Sequence, residues 1–98
     1  MRYAITKDGD ALTVAIWGRL DATSCPELES ALADELDGIA DLTVDLAQVV
    51  YVSSMGLRLL LSWQKLMFKQ GAMRIVNVPD EVMALFDETG CTEIIDIQ

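Results

Sequence analysis

The sequence predicts an α/β domain with a mixed, mostly parallel sheet of four to five strands, an N-terminal β-hairpin and covering helices. Two β-type runs joined by a glycine turn open the chain, and helical runs then alternate with β-type runs. A helix between two strands implies a right-handed crossover and parallel strands. The 98 residues, 52% of them hydrophobic and only 2 of them proline, suffice for one hydrophobic core, so a single domain is expected over residues 1–98.

The hairpin is expected to pair residues 3–7 with residues 11–17. Both runs favour strands, and Asp8-Gly9-Asp10 between them contains a glycine that can adopt the positive φ of a tight turn. A first helix is expected from Ser24-Cys25-Pro26-Glu27, which has the pattern of a capping box with proline in the first turn. Its apolar spacing continues to Ile39, and Gly38 is suited to ending it.

A central strand and a long helix follow. Residues 42–46 alternate apolar and polar side chains, and the β-branched run 49–52 leads to two adjacent serines. A helix is predicted over residues 55–70, with Gly71 as a left-handed cap. Its polar stripe is narrow and consists of Arg58, Ser62, Lys65 and Lys69. The remaining apolar surface indicates either a well-covered central helix, which we favour, or a face for a partner.

The C-terminal third predicts one more strand and one more helix. Residues 73–78 have strand character, Pro79-Asp80-Glu81 places acids at the positive end of a helix, and Gly90 is expected to end that helix. Residues 94–97 are suited to a short last strand.

Composition excludes several function classes. The net charge of −9, from 16 acidic and 7 basic residues, repels nucleic acid and anionic membranes. The chain contains no histidine, no phosphate-binding glycine motif and no metal-ligand cluster, so we expect no enzyme activity, metal or cofactor. Cys25 and Cys91 are expected to be reduced. No signal peptide and no run of roughly 20 apolar residues is present, which predicts a cytoplasmic protein without membrane insertion.

Charge is unevenly distributed along the chain. Residues 46–79 contain no acid and carry +4, whereas the remainder has 3 basic and 16 acidic residues and carries −13. This pattern favours a less negative surface around the serines that could steer a partner. Burial of a core-forming segment explains the same pattern, and we give that explanation slightly more weight.

The segment Ser53-Ser54-Met55-Gly56 places two hydroxyls where a strand ends and a helix begins. Backbone N–H groups at a helix start bind anions, including phosphate, and Gly56 would let another molecule approach closely. A serine there is either a simple N-cap or a phosphorylation site, and physical arguments alone favour the cap. The capping-box version is absent, since neither serine is followed three residues later by Glu or Gln.

This turn resembles the signature of the STAS domain, the fold of bacterial anti-sigma factor antagonists. In that signature a strand runs into Asp-Ser-(Ser/Thr)-Gly-Leu and the serine after the aspartate is phosphorylated, which corresponds to Ser54. Gly18-Arg19-Leu20-Asp21-Ala22 is similar to the family's Gly-x-Leu-Asp element. The resemblance covers nearly the whole chain. Ser53 replaces the usual acid before the phosphoserine, which makes Ser53 a second candidate, and Met55 stands where Ser or Thr is frequent.

The resemblance implies a partner-binding role for Asp21, with an N-terminal turn residue as an equally weighted alternative. The full set of expected partner-binding residues is Asp21, Ser53, Ser54, Met55, Gly56 and Arg58. The implied function is that of an anti-sigma factor antagonist that binds an anti-sigma factor serine kinase, is released when phosphorylated on Ser54, and is reset by a serine phosphatase. The alternative is a standalone STAS subunit of a bacterial lipid-transport ATPase complex, with the serine turn as a constitutive contact.

Overall fold

The computed structural model describes residues 2–98, which form five strands and three α-helices. In chain order the elements are β1 (Arg2–Asp8), β2 (Ala11–Leu20), α1 (Cys25–Ala33), β3 (Asp41–Val52), α2 (Ser54–Gln70), β4 (Ala72–Val76), α3 (Asp80–Thr89) and β5 (Asp96–Ile97). A short 3₁₀ helix, Cys91–Glu93, precedes β5. Among these residues no helix is both long and apolar enough to cross a bilayer.

The sheet has the order β1-β2-β3-β4-β5, with β1 antiparallel to β2 and all later neighbours parallel. The predicted hairpin and mostly parallel sheet are therefore confirmed. One side of each inner strand is buried under the helices, through Leu12, Val14, Ile16, Leu42, Val44, Leu46, Met73 and Ile75. The other side carries a polar cluster, in which Arg74 donates to Asp41 at 2.6 Å and to Thr43 at 3.1 Å.

The first helix is shorter than predicted. It ends at Ala33, although Leu36 and Ile39 are both buried as the helical spacing suggested. Residues 34–38 form turns instead, and Gly38 in this segment has a φ of 80°. Gln70 of α2 donates from Nε2 to the carbonyls of Leu36 and Ile39, both at 2.7 Å, so a distant helix supplies partners for carbonyls at the end of these turns.

Gly71 ends α2 but is not the left-handed cap that we predicted. Its φ of 173° is extended backbone. Glycine is required for space, because a Cβ atom at this position would overlap the backbone carbonyl of Ala40. By contrast, Gly90 ends α3 with a φ of 79°, as predicted. Strand β4 is also shorter than predicted, since Asn77 turns the chain away with a φ of 57°.

Candidate functional site

The two sequence blocks singled out above meet at the carboxyl ends of neighbouring strands. Leu20 at the end of β2 pairs in parallel with Val52 at the end of β3. The backbone N–H of Ser53 donates to the Leu20 carbonyl at 2.9 Å, which extends this pairing by one residue. Asp21 and Ser53 therefore follow directly from adjacent strand ends, and the blocks form one surface.

The two serines at this edge have different roles. Ser53 is the N-cap of α2, with extended backbone angles, and its Oγ accepts a hydrogen bond from the Gly56 N–H at 3.3 Å. This is the capping geometry that serine favours. Ser54 is the first residue of the helix and is exposed. Its hydroxyl therefore lies at the positive end of a helix of 17 residues and is open to solvent.

Gly56 does not provide the open approach that we expected. It is buried, and a methyl group at this position would stand 2.5 Å from the Leu20 carbonyl oxygen and 3.0 Å from Val52 Cγ1. The missing side chain allows α2 to pack closely on the ends of β2 and β3. Gly56 therefore sets the position of the serine turn through its packing on the two strand ends, and its contact with a partner stays a prediction.

Exposed apolar side chains surround the serine turn. Val50 is 67% exposed, Tyr51 43% and Met55 38%. The pairing of β2 with β3 shows why two consecutive residues of a strand face outward: Gly18 pairs with Val49 and Arg19 with Tyr51, so Val50 is an extra residue in a β-bulge. We call Val50, Tyr51 and Met55 the apolar rim. Sequence reasoning missed its two strand residues, since a β-branched run reads as a buried strand.

Arg19 links the apolar rim to Asp21. Its guanidinium lies over the Tyr51 ring at 4.2 Å from the centroid, and its Nε donates to Asp21 at 3.3 Å. The stacked guanidinium holds the exposed tyrosine ring in place. Arg19 belongs to the Gly-x-Leu-Asp element at residues 18–21, but its contact with Tyr51 depends on the pairing of β2 with β3, which the sequence does not reveal.

The serines line a groove of about 450 Å³ between the end of β3 and α3. Residues 50–54 form one wall, and Glu81, Leu85 and Glu88 belong to the other. This corrects the expectation of a less negative surface around the serines. The acid-free segment 46–79 is continuous in sequence, but the crossover that follows β4 returns the acidic helix α3 to the same edge of the sheet.

Met55 and Arg58 line a second groove of about 320 Å³, with Cys25, Pro26 and Glu29 of α1 on its other side. The structure thus places four of the six expected partner-binding residues on two adjacent surfaces at the start of α2. Ser53 and Ser54 lie toward α3, whereas Met55 and Arg58 lie toward α1. Met55 also belongs to the apolar rim, so it joins the two surfaces.

Asp21 forms the turn that starts α1. Its carboxylate accepts hydrogen bonds from the backbone N–H groups of Thr23 at 3.0 Å and Ser24 at 3.2 Å. The Ser24 N–H is the main cause that lowers the pKa of Asp21, the Thr23 N–H and Arg19 add to it, and partial desolvation opposes them. Asp21 therefore makes the contacts of an N-terminal turn residue, which was the alternative expected for it. The partner-binding role of Asp21 stays a prediction.

Ser24 does not form the capping box that we predicted. Its side chain is buried; its Oγ donates to the Arg19 carbonyl at 2.7 Å and accepts from the Asp21 N–H at 3.0 Å. The Ser24 hydroxyl thus connects the end of β2, through the Arg19 carbonyl, to the turn at Asp21.

We expect Ser24→Ala to lower the free energy of unfolding by about 1–3 kcal/mol, because it leaves the Arg19 carbonyl and the Asp21 N–H without their partner. Denaturant unfolding measures this change. Ser30→Ala is the matched control, since Ser30 is an exposed serine within α1, the helix that Ser24 precedes, and should change stability by less than about 0.5 kcal/mol. Equal losses in the two variants would contradict this role of Ser24.

The lowered pKa of Asp21 implies that the stability of the fold depends on pH. Its pKa is lower in the folded chain than the ordinary value of 3.8, so the carboxylate stabilises the fold above that pH and loses this contribution as the pH falls through the folded-state pKa. Asp21→Asn should therefore lower the melting temperature at neutral pH, and the difference from wild type should shrink in acid. Asp37→Asn, at an exposed carboxylate in the turns after α1, serves as the control. A difference that stays constant down to strongly acidic pH would contradict the assignment.

Comparisons with known proteins identify the family of this chain. The family described as "Mlab, STAS domain" matches residues 3–96. The anti-sigma-B factor antagonist of Bacillus subtilis is 33% identical over 94 residues, which span 95% of this chain and 86% of the relative. The anti-sigma-B factor antagonist of Listeria monocytogenes is 30% identical over 95 residues, which span 94% and 82% of the two chains.

Solved structures share the fold at lower identity. An anti-sigma factor antagonist from Mycobacterium paratuberculosis superposes with a TM-score of 0.88 at 21% identity, covering 98% of this chain and 83% of that one. The Bacillus cell fate determinant SpoIIAA in its phosphorylated form gives a TM-score of 0.77 at 11% identity, covering 99% and 91%. The resemblance seen in the serine turn and the Gly-x-Leu-Asp element is thereby confirmed: the chain belongs to the STAS domain family, with anti-sigma factor antagonists among its relatives.

Proposed function

We propose that this protein is an anti-sigma factor antagonist that is switched off by phosphorylation of Ser54. The observation that supports this most is the exposed Ser54 hydroxyl at the start of α2, next to the apolar rim. A solvent-accessible hydroxyl is what a kinase requires, and exposed apolar side chains are what a partner surface requires. The relatives named as anti-sigma-B factor antagonists supply the class of partner.

In the unphosphorylated state, the proposed partner is an anti-sigma factor that is also a serine kinase. It would cover the apolar rim, and Tyr51 is the best anchor because the stacked Arg19 already restricts its ring. Binding would release a sigma factor and so permit transcription. The protein is then the substrate of the kinase and not an enzyme itself, and the cycle runs in the cytoplasm, where ATP is present.

Phosphorylation of Ser54 would add a charge of about −1.5 to −2 at neutral pH. The helix start favours this charge, but the groove that holds Ser54 also contains Glu81 and Glu88, and a docked partner would have to desolvate the dianion. A penalty of about 3 to 4 kcal/mol lowers affinity on the order of a hundred to a thousand times. A serine phosphatase would restore the binding state.

The test is to incubate the protein with its cognate anti-sigma kinase and Mg-ATP and to locate the phosphate by mass spectrometry. We expect it on Ser54 in the wild type and in Ser53→Ala, and we expect no incorporation in Ser54→Ala. Ser53→Ala also removes the cap hydrogen bond to Gly56, so its folding is checked by circular dichroism. A phosphate found on neither serine would exclude the switch.

A constitutive docking role, as a subunit of a lipid-transport ATPase complex, is the second candidate. The observation that favours it is Ser53, which stands where the STAS signature has an acid and whose hydroxyl is engaged as the N-cap. A binding measurement separates the two functions. A constitutive subunit would bind an ATPase subunit, and incubation with a kinase and Mg-ATP would not dissociate that complex.

A further inference from the structure

A second exposed apolar surface lies on α2, apart from the serine turn. Phe68 is 82% exposed and Ile94, after the 3₁₀ helix, is 58% exposed. They line a groove of about 450 Å³, which we call the α2 groove. Its complete lining is Leu61, Gln64, Lys65, Phe68, Lys69 and Ile94. The α2 residues follow helical spacing and so form one face. The well-covered central helix that the sequence analysis favoured is therefore not what the structure shows.

Two lysines, Lys65 and Lys69, make one side of this groove positively charged. Lys65 and Lys69 are one helical turn apart on the same face, a like-charge pair that destabilises a helix slightly. The ion pairs found within residues 2–98 involve neither lysine. All of α2 lacks acidic residues in a chain of net charge −9. Glu93 neighbours Ile94 but does not line the groove.

From these observations we propose that the α2 groove binds an acidic amphipathic helix of another protein. The helix would place an apolar side chain between Phe68 and Ile94 and carboxylates against Lys65 and Lys69. This is the helix-in-groove mode of recognition with charge complementarity. It is independent of the switch at Ser54.

A second copy of the chain fits this groove less well. A two-fold symmetric contact would bring the Lys65 and Lys69 pairs of both copies together, and a contact without that symmetry does not close into a dimer.

The probes for this proposal are two synthetic helical peptides with the same leucine face, one with glutamates and one with lysines on the polar face. The full-length protein is titrated with each peptide, and amide NMR shifts are followed. We expect the acidic peptide to bind at least about tenfold more tightly and to shift the amides of Leu61 to Lys69 and of Ile94. Equal binding of both peptides, or shifts confined to the serine turn, would overturn the proposal.

Variants sharpen the test. Phe68→Ser should weaken the acidic peptide at least about tenfold, whereas Leu66→Ser, at an exposed leucine of the same helix outside the groove, should not. Lys65→Glu with Lys69→Glu should reverse the preference to the basic peptide. Ser54→Asp should bind the acidic peptide as tightly as wild type does, which separates this surface from the switch.

Two results would refute the acidic helix as occupant of the α2 groove. One is a dimer seen in sedimentation that is lost in Phe68→Ser, which would assign the groove to a second copy. The other is binding to anionic lipid vesicles that is lost in Phe68→Ser, which would assign it to a membrane.

Discussion

Ser54→Asp is expected to weaken binding to the cognate anti-sigma factor by on the order of a hundred times, while Ser54→Ala binds within about threefold of wild type. The carboxylate introduces a charge where the partner would cover the start of α2, and Glu81 and Glu88 in the same groove raise its cost. Isothermal titration calorimetry with the purified anti-sigma factor measures both affinities.

Ser54→Asn is the control that separates charge from size, because asparagine has the shape of aspartate without its charge. It should bind at least about tenfold more tightly than Ser54→Asp. If Asn weakens binding as much as Asp, the size of the side chain and not its charge is responsible, and the electrostatic account of the switch is wrong. Combining Ser54→Asp with Glu81→Gln and Glu88→Gln should raise the affinity a few-fold above that of Ser54→Asp alone, because exposed charge pairs contribute about 0.2–1 kcal/mol.

The helix start at Ser53 and Ser54 could be predicted from sequence because its signals are local. A strand that runs into two serines, followed by a helical pattern and a glycine, specifies a helix start within a few residues. The hairpin at Gly9 and the helix end at Gly90 were predictable for the same reason: each depends on the φ of one glycine, and the structure shows 62° and 79°.

Features that depend on the tertiary fold were not predictable in this way. Val50 and Tyr51 are exposed because β3 has an extra residue at Val50, the second of its two register shifts against β2, and no local pattern of β-branched residues specifies such a bulge. The charge of the serine groove depended on the return of α3, which supplies Glu81 and Glu88. The sequence was thus sufficient to place Ser53 and Ser54 at a helix start, whereas the exposed apolar rim beside them required the register of the sheet.

Gly56→Ala should lower the free energy of unfolding by roughly 2 kcal/mol. In most helices this change stabilises by about 0.5–1 kcal/mol, but here the new methyl group would stand 2.5 Å from the Leu20 carbonyl oxygen. That carbonyl accepts the Ser53 N–H, so it cannot retreat without breaking the pairing of the two strand ends. Overpacking of this kind costs about 1–3 kcal/mol or more, which exceeds the helical gain and reverses its sign.

Urea unfolding of Gly56→Ala against wild type measures this loss, and Ser54→Ala is the control in the same turn of α2. That substitution is made at an exposed position and should change stability by less than about 0.5 kcal/mol. Because the clash also moves the start of α2 away from Leu20, Gly56→Ala should slow phosphorylation of Ser54 even where the protein is fully folded. A stabilised Gly56→Ala protein with normal phosphorylation would show that α2 can shift freely on the strand ends, and the positioning role of Gly56 would have to be abandoned.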